Sequence, residues 1–172
     1  DISIRTSPSS KPSNAEIIDK AVNLHKQGKI SEAAKYYQLL VEKGFSNASF
    51  FSNYGIILKT IGKSDQAEIY LRKALELKPN FEIAHNNLGT ILKDLGQLEE
   101  AELSTRKAIN LKPEYADAYN NLGVILQELG KLEEAELSMR KAIELIPEFA
   151  DAYNNLGTIM INLGKLEEAE LL

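Results

Sequence analysis

NNLGTILKDLGQLEEAELSTRKAINLKP, residues 86–113, recurs almost letter for letter as residues 120–147. Residues 82–115 and residues 116–149 are identical at 23 of their 34 aligned positions. A stretch copied at a fixed period is one structural module, and each module buries its apolar faces against its neighbours along the chain. The repeat therefore predicts an all-α solenoid, a stack of similar helical units.

The chain divides into a short leader followed by copies of this module. Residues 1–13 are rich in serine, proline and lysine and have too little apolar surface to offset the entropy lost on ordering, so we predict a flexible leader. The predicted array occupies residues 14–172. Its copies are residues 14–47, 48–81, 82–115 and 116–149, followed by the partial copy 150–172. The first copy diverges, with Ala21 where later copies have glycine, as expected of a terminal repeat with a single neighbour.

Each copy has the pattern of two helices joined at a glycine. In residues 116–149 the apolar side chains follow helical spacing up to Gly130, a residue suited to the left-handed position just past a helix end. Gly123 lies in the middle of the first helix, where it costs about 1 kcal/mol relative to alanine, so we predict a close approach of the two helices there. Ala135 and Ala142 of the second helix, which have small side chains, are expected to face Gly123 and allow this close approach. Stacked antiparallel hairpins of this kind predict a right-handed superhelix.

The composition limits the classes of function. The net charge is −5 with a pI of about 5.2, so the chain lacks the basic surface that nucleic acids and anionic membranes require. It has no cysteine, which excludes disulfides and cysteine-based catalytic or metal sites. No apolar run approaches the roughly 20 residues that span a bilayer. These features predict a cytoplasmic protein with no nucleic-acid or membrane partner.

The residues of the repeat resemble a known family. In residues 116–149 the pattern consists of Tyr119, Leu122, Gly123, Leu126, Gly130, Ala135, Met139, Ala142 and Pro147. This pattern resembles the tetratricopeptide repeat (TPR), and the resemblance covers residues 14–172. Two departures are His85 in place of tyrosine and Thr105 in place of the usual aromatic residue of the second helix. They change packing and leave the predicted fold unchanged.

The resemblance implies which positions face a ligand. In this family the first helix of each hairpin lines a concave groove, so the second, fifth, sixth, ninth, twelfth and thirteenth positions of each copy are expected to contribute. The peptide-binding residues that we assign on this basis are Asn53, Asn87, Asn121 and Asn155 at the sixth position, Asn86, Asn120 and Asn154 at the fifth, and Thr90, Lys93, Asp117 and Gln127.

Asparagine stands at the sixth position of every copy from residue 48 onward, and in three copies a second asparagine precedes it. Asparagine has a low helix propensity, so its recurrence in the middle of each first helix needs a reason. A carboxamide has both donors and an acceptor and can bond the main chain of any peptide. The column is similar to the asparagine ladder of O-linked N-acetylglucosamine transferases, which holds extended polypeptide by its main chain. Alternatively, these side chains bond one another or neighbouring helices and determine only how the hairpins stack.

Other patterns in the sequence indicate no site. TPR domains that clamp a C-terminal carboxylate carry lysine at the fifth position and asparagine at the ninth, and no copy here has that pair. Glu133 and Glu134 recur as a pair in the late copies, whereas catalysis needs one asymmetric site, so we interpret them as solvated partners of a helix dipole. His25 and His85 lack metal-binding spacing, and no phosphate-binding loop motif occurs. We therefore predict no catalytic residue, no metal and no cofactor.

The sequence thus predicts a non-enzymatic module that binds an extended segment of a protein partner in its groove. Two alternatives stay open. The chain ends within a predicted second helix and the array looks cut, which suggests the substrate-recognition arm of a larger enzyme such as a glycosyltransferase. Alternatively, the C-terminal end of the array presents an apolar seam through which the chain forms a homo-oligomer. That seam would consist of Leu163, Leu166, Leu171 and Leu172.

Overall fold

The computed structural model of this protein describes residues 12–165, and all the regular elements in that range are α-helices. They are α1 (Asn14–Lys26), α2 (Ile30–Glu42), α3 (Ala48–Thr60), α4 (Ser64–Leu77), α5 (Glu82–Asp94), α6 (Leu98–Leu111), α7 (Ala116–Glu128), α8 (Leu132–Leu145) and α9 (Ala150–Asn162). The all-α prediction is confirmed. Residues 1–11 of the predicted leader lie outside the described residues, as do Leu166, Leu171 and Leu172 of the predicted C-terminal seam.

The chain separates into two compact units, Asp1–Ser46 and Asn47–Leu172. In the first unit α1 packs on α2, and Ala21 and Ala33 are fully buried. The start of α1 is a capping box. The Ser13 hydroxyl accepts a hydrogen bond from the backbone N–H of Glu16, and the Glu16 carboxylate accepts one from the backbone N–H of Ser13.

In the second unit the helices form two layers. Each first helix packs on the second helix of its own repeat, α3 on α4, α5 on α6 and α7 on α8, and each second helix also contacts the first helix of the following repeat. The first helices contact one another in sequence, α3 with α5, α5 with α7 and α7 with α9. We call α3, α5, α7 and α9 the first-helix layer. Every side chain assigned to the peptide site from the sequence belongs to this layer.

The close approach predicted at Gly123 is present. A Cβ atom built on Gly123 would lie 2.6 Å from Cε and 3.0 Å from Cγ of Met139, so the helix surfaces meet with no room for a side chain. The expectation for the opposing residues needs correction. Ala135 and Ala142 are fully buried, but the atoms nearest to Gly123 belong to Met139, and Thr105 occupies the equivalent place opposite Gly89.

The predicted turn glycines end the first helices. Gly130 has a φ of +75°, in the left-handed region that favours glycine, and its N–H donates to the carbonyl of Gln127 over 3.0 Å. The N–H of Lys131 then donates to the carbonyl of Leu126 over 2.8 Å, which closes the end of α7 before α8 begins. The chain can therefore reverse direction within three residues and keep each hairpin antiparallel.

Ion pairs connect successive second helices. Arg106 bonds Glu102 of its own helix over 2.8 Å and Glu134 of the following repeat over 2.6 Å. Arg72 bonds Glu68 and Glu100 in the same way, each over 2.7 Å. Arg72 and Arg106 thus each join two successive repeats.

Candidate functional site

The sixth-position asparagines bond the repeat before them. In each case the side-chain amide donates to the fifth-position side chain one repeat earlier in the chain. These bonds run from Asn87 Nδ2 to Ser52 Oγ over 3.4 Å, from Asn121 Nδ2 to Asn86 Oδ1 over 3.0 Å, and from Asn155 Nδ2 to Asn120 Oδ1 over 3.0 Å. The asparagine side chains therefore bond one another across repeats, as the alternative interpretation of the column expects. We call this series the amide ladder.

The amide ladder uses only part of each sixth-position carboxamide. A carboxamide has two N–H donors and two lone pairs on its oxygen, and the bond to the preceding repeat takes one N–H. Within residues 12–165 no hydrogen bond reaches Oδ1 of Asn87, Asn121 or Asn155. All three side chains are partly exposed, and Asn53 is exposed at the first position of the column. An acceptor therefore remains on each of the three carboxamides, and a second N–H remains on Asn87 and Asn155, whereas Nδ2 of Asn121 also donates to Thr90 Oγ1 over 3.5 Å.

The fifth-position asparagines differ from one another in burial. Asn86 is only 5% exposed, and its carboxamide bonds both Asn121 and the Tyr115 hydroxyl. Burial raises the pKa of Tyr115, and the hydrogen bond with Asn86 opposes that rise. The prediction that Asn86 contacts a ligand directly is not supported, since its polar atoms are covered and bonded within the coil. Asn120 is partly exposed and Asn154 is exposed.

Three residues assigned from the sequence line one pocket between α5 and α7. The pocket has a volume of about 190 Å³ and is lined by Thr90, Lys93, Asn121, Val124 and Ile125. Thr90 Oγ1 lies 3.5 Å from Asn121 Nδ2, so the amide also faces the hydroxyl of the preceding repeat. The pocket therefore combines amide and hydroxyl groups with the apolar side chain of Val124, which stands at the ninth position of its copy, one of the positions expected to face a ligand.

The charges beside this pocket are already paired. Lys93 Nζ lies 3.1 Å from a carboxylate oxygen of Asp94 and 3.6 Å from one of Glu128, and Lys59 lies 3.2 Å from Asp94. Partial burial would raise the pKa of Asp94, but hydrogen bonds from Lys93 and Lys59 outweigh it and the pKa is lowered. The pocket consequently presents little net charge to a ligand.

The remaining two assigned residues lie away from this pocket. Asp117 is exposed in the first turn of α7, and Gln127 is partly exposed near the end of the same helix. A second pocket of about 340 Å³ lies between α6, α7 and α8 and contains no residue assigned to the peptide site from the sequence. Its lining consists of Arg106, Ile109, Asn110, Tyr119, Leu122, Leu137 and Ser138.

The described part of the chain contains no group of three or more His, Cys, Asp or Glu side chains that could hold a metal ion. Between residues 12 and 165 no helix has both the length and the apolar character needed to cross a membrane.

Family models for the tetratricopeptide repeat match the chain along the whole second unit. One matches residues 48–81 and 116–149, a second matches residues 70–102 and 139–170, and a model described as a TPR repeat matches residues 89–130. No curated protein sequence matches the chain.

Solved structures with the same arrangement of helices are similar to this chain. MamA from Desulfovibrio magneticus RS-1, from residue 41 to its end, has a TM-score of 0.81 at 23% identity, over 94% of this chain and 92% of that one. YrrB, described as a TPR protein with an unusual peptide-binding site, has a TM-score of 0.74 at 25% identity, over 83% of this chain and 73% of that one. The first TPR domain of Spaghetti (RPAP3), bound to the HSP90 peptide SRMEEVD, has a TM-score of 0.66 at 27% identity, over 68% of this chain and 93% of that one.

Proposed function

This chain is a tetratricopeptide-repeat protein over residues 48–170, and we propose that it binds an extended segment of a protein partner along its first-helix layer. Two similar TPR structures support this class of function, since YrrB has a peptide-binding site and the RPAP3 domain holds the HSP90 peptide SRMEEVD. A substrate-recognition arm of a larger enzyme would use the same surface, so it leads to the same expectation for peptide binding.

The proposal rests on the hydrogen bonds that the sixth-position carboxamides make and on the polar atoms that these bonds leave unused. Asn87, Asn121 and Asn155 each give one N–H to the amide ladder, which fixes the orientation of the side chain before any ligand arrives. Their Oδ1 atoms accept from the N–H groups of a bound peptide main chain, and the second N–H of Asn87 and of Asn155 donates to its carbonyls, while Nδ2 of Asn121 also bonds Thr90. Because the side chains are already ordered, binding loses less rotamer entropy.

Several repeats must act together for this to produce useful affinity. A hydrogen bond contributes a net value of about 0.5–1.5 kcal/mol, so one carboxamide alone binds too weakly to hold a peptide. The pocket lined by Thr90, Val124 and Asn121 adds contact with one small apolar side chain of the peptide. Main-chain bonding with one shallow apolar pocket implies broad sequence tolerance.

The ligand's terminal carboxylate should contribute little. The charge of Lys93 is already paired with Asp94 and Glu128, and no copy has lysine at the fifth position with asparagine at the ninth. The peptide SRMEEVD with a free C-terminus and the same peptide with an amidated C-terminus should therefore bind this chain equally. A strong preference for the free carboxylate would contradict the proposed mode of recognition.

The direct test uses the double variant Asn87→Ala and Asn121→Ala. Short fluorescent peptides of unrelated sequence serve as probes, and fluorescence anisotropy gives their affinity. We expect the affinity to fall by about tenfold or more, the equivalent of one or two hydrogen bonds, while the helical circular dichroism is unchanged.

The matched control is the variant Asn86→Ser, at the fifth-position asparagine that is buried. Serine at the fifth position keeps an acceptor for the amide ladder, as Ser52 does for Asn87, and leaves the sixth-position carboxamides in place. This control should bind the peptides as the unchanged chain does. Equal loss in both variants, or no loss in the first, would remove the sixth-position carboxamides from the binding site.

A further inference from the structure

The second helices carry an exposed apolar residue at the same position in three successive repeats. Ile69 on α4 is 53% exposed, and Leu103 on α6 and Leu137 on α8 are each 69% exposed. Single exposed leucines are ordinary on a protein surface, but these three occupy the same position on successive second helices, which the Arg72–Glu100 and Arg106–Glu134 hydrogen bonds join. We call these three residues the apolar row.

A charged row runs along each side of the apolar row. An acidic residue precedes each apolar residue by four positions and a lysine follows it by four, and such spacing places all three on one face of a helix. The acidic row consists of Asp65, Glu99 and Glu133, and the basic row consists of Lys73, Lys107 and Lys141.

Most of these charges form no ion pair with a described residue, and the acidic ones lie in the first turns of their helices, where the helix dipole favours them. Glu99 and Glu133 form no ion pair with any described residue, although Glu134, the next residue along, bonds Arg106 over 2.6 Å. Lys107 is likewise without an ion pair in the range 12–165. In the other two repeats Lys73 lies over the Tyr70 ring, 5.0 Å from its centroid, and Lys141 bonds the exposed Glu144 over 2.6 Å.

We infer that a second copy of this chain docks on this face, with each second helix antiparallel to the same helix of the partner. A two-fold axis parallel to the apolar row brings Leu103 against the partner's Leu103. The same axis brings Glu99 against the partner's Lys107 and Lys107 against the partner's Glu99. A dimer of this kind is isologous, because one patch supplies both sides of the interface.

The order of acidic, apolar and basic residues along each second helix favours an antiparallel arrangement and a second copy of this chain as the partner. If the helices packed parallel, Glu99 would face the partner's Glu99 and Lys107 the partner's Lys107, which is unfavourable. The order acid, apolar, base is kept on α4, α6 and α8, so the three repeats give three equivalent sets of contacts in one interface. Because the interface lies on the second helices, it goes beyond the proposed peptide site and leaves the first-helix layer open.

The first test measures the mass of the full chain by sedimentation equilibrium over a range of concentrations. We expect the mass to rise from the monomer value of 19.1 kDa towards twice that value as the concentration increases. The variant Leu103→Ser with Leu137→Ser should raise the dissociation constant of the dimer by about a hundredfold, since two leucines no longer become buried. Circular dichroism verifies that this variant keeps its helices.

The control is the variant Ile83→Ser with Ile161→Ser. These isoleucines are 42% and 56% exposed on the first-helix layer, so their replacement removes similar apolar surface from the other side of the repeats. Dimerisation should be unchanged in this control and in the variant Asn87→Ala with Asn121→Ala. A mass that stays at 19.1 kDa at every concentration, or a dimer lost equally in the isoleucine control, would overturn the inference.

A charge exchange tests the antiparallel arrangement itself. Glu99→Lys with Glu133→Lys makes both charged rows basic on α6 and α8, and Lys107→Glu with Lys141→Glu makes both acidic. Each variant alone should dimerise more weakly than the unchanged chain, because like charges meet across the two-fold axis. An equimolar mixture should form heterodimers, since every basic residue then meets an acidic one. A mixture no heavier than its separate components would rule out this pairing.

Discussion

Asn121 donates a hydrogen bond from Nδ2 to Oδ1 of Asn86, 3.0 Å away in the preceding repeat, and Asn86 is almost completely buried. The two asparagines of a doublet therefore have different roles. The fifth-position side chain accepts from the next repeat, and the sixth-position side chain donates to the previous one and keeps its own oxygen. One row of carboxamides thus joins the repeats and orients the groups that we assign to peptide binding.

Replacing Asn121 by alanine should destabilise the chain by about 1–3 kcal/mol, because the buried Oδ1 of Asn86 loses its partner. Urea unfolding followed by circular dichroism measures the change. Asn53→Ala is the matched control, since Asn53 is exposed and bonds no described side chain, and it should change stability by about 0.5 kcal/mol or less. Equal effects of the two substitutions would show that the amide ladder contributes nothing to stability.

Thr105→Val should stabilise the chain by about 1 kcal/mol. The Thr105 side chain is fully buried and its hydroxyl has no hydrogen-bond partner among the described residues, so an isosteric methyl group removes an unpaired polar atom without a change of shape. The neighbouring Ser104→Ala is the contrasting control, because it removes a 2.9 Å bond to the carbonyl of His85 and should destabilise. Thermal unfolding measures both, and a lower melting temperature for Thr105→Val would contradict this explanation.

Gly89→Ala should be more destabilising than Gly123→Ala. A Cβ on Gly89 would collide with the Thr105 hydroxyl and lie 3.1 Å from the carbonyl oxygen of Ala101, and the β-branched Thr105 cannot move away. We expect a loss of about 1–3 kcal/mol. At Gly123 the obstacle is the flexible end of Met139, and a helix-propensity gain of about 1 kcal/mol offsets much of the clash.

A double-mutant cycle in urea checks the cause of that difference. Thr105→Ala removes the obstacle opposite Gly89, so Gly89→Ala should cost much less in a Thr105→Ala background than in the unchanged chain. If the two substitutions are additive, the contact between these two positions does not explain the sensitivity of Gly89.

The contribution of Glu136 to stability should disappear in acid. Hydrogen bonds from Lys165 and Arg140 outweigh the opposing effect of burial and lower the pKa of Glu136 from its ordinary value of 4.5. A carboxyl group with a lowered folded-state pKa adds stability at every pH above its unfolded pKa, and this stability is lost as the pH falls through the folded pKa. Glu136→Gln should therefore destabilise the chain at pH 7 and make little difference well below pH 4.5.

Urea midpoints measured between neutral and acid pH for both proteins give the pH dependence of their stability difference. The control is Glu148→Gln, which removes an exposed carboxylate outside the helices and breaks no ion pair with a described residue. It should change the stability at pH 7 by about 0.5 kcal/mol or less. A stability difference for Glu136→Gln that stays constant through the acid range would contradict the role of its ion pairs.

The layer that carries the candidate site was predictable because helix periodicity and turn glycines are local properties. Gly130 has the left-handed backbone that its place after a helix predicted, and the first helices lie side by side with the assigned residues on them. Thr90, Lys93 and Asn121 then come together in one pocket. The charge pairing around Lys93 was not predictable, because Asp94 and Glu128 reach it from its own helix and from the next repeat.

By itself, the sequence determined the repeat, the helical hairpins and the residues available at each position, since these follow from a 34-residue period and from backbone preferences of single residues. Only the tertiary structure decided that Asn86 is buried and Asn121 is partly exposed, although both are asparagines at neighbouring positions of the repeat, the fifth and the sixth. Neighbouring residues on a helix point in different directions, and the packing of α5 against α7 covers one carboxamide and leaves the other partly exposed. Contacts between repeats depend on how the hairpins stack, and no local preference encodes that register.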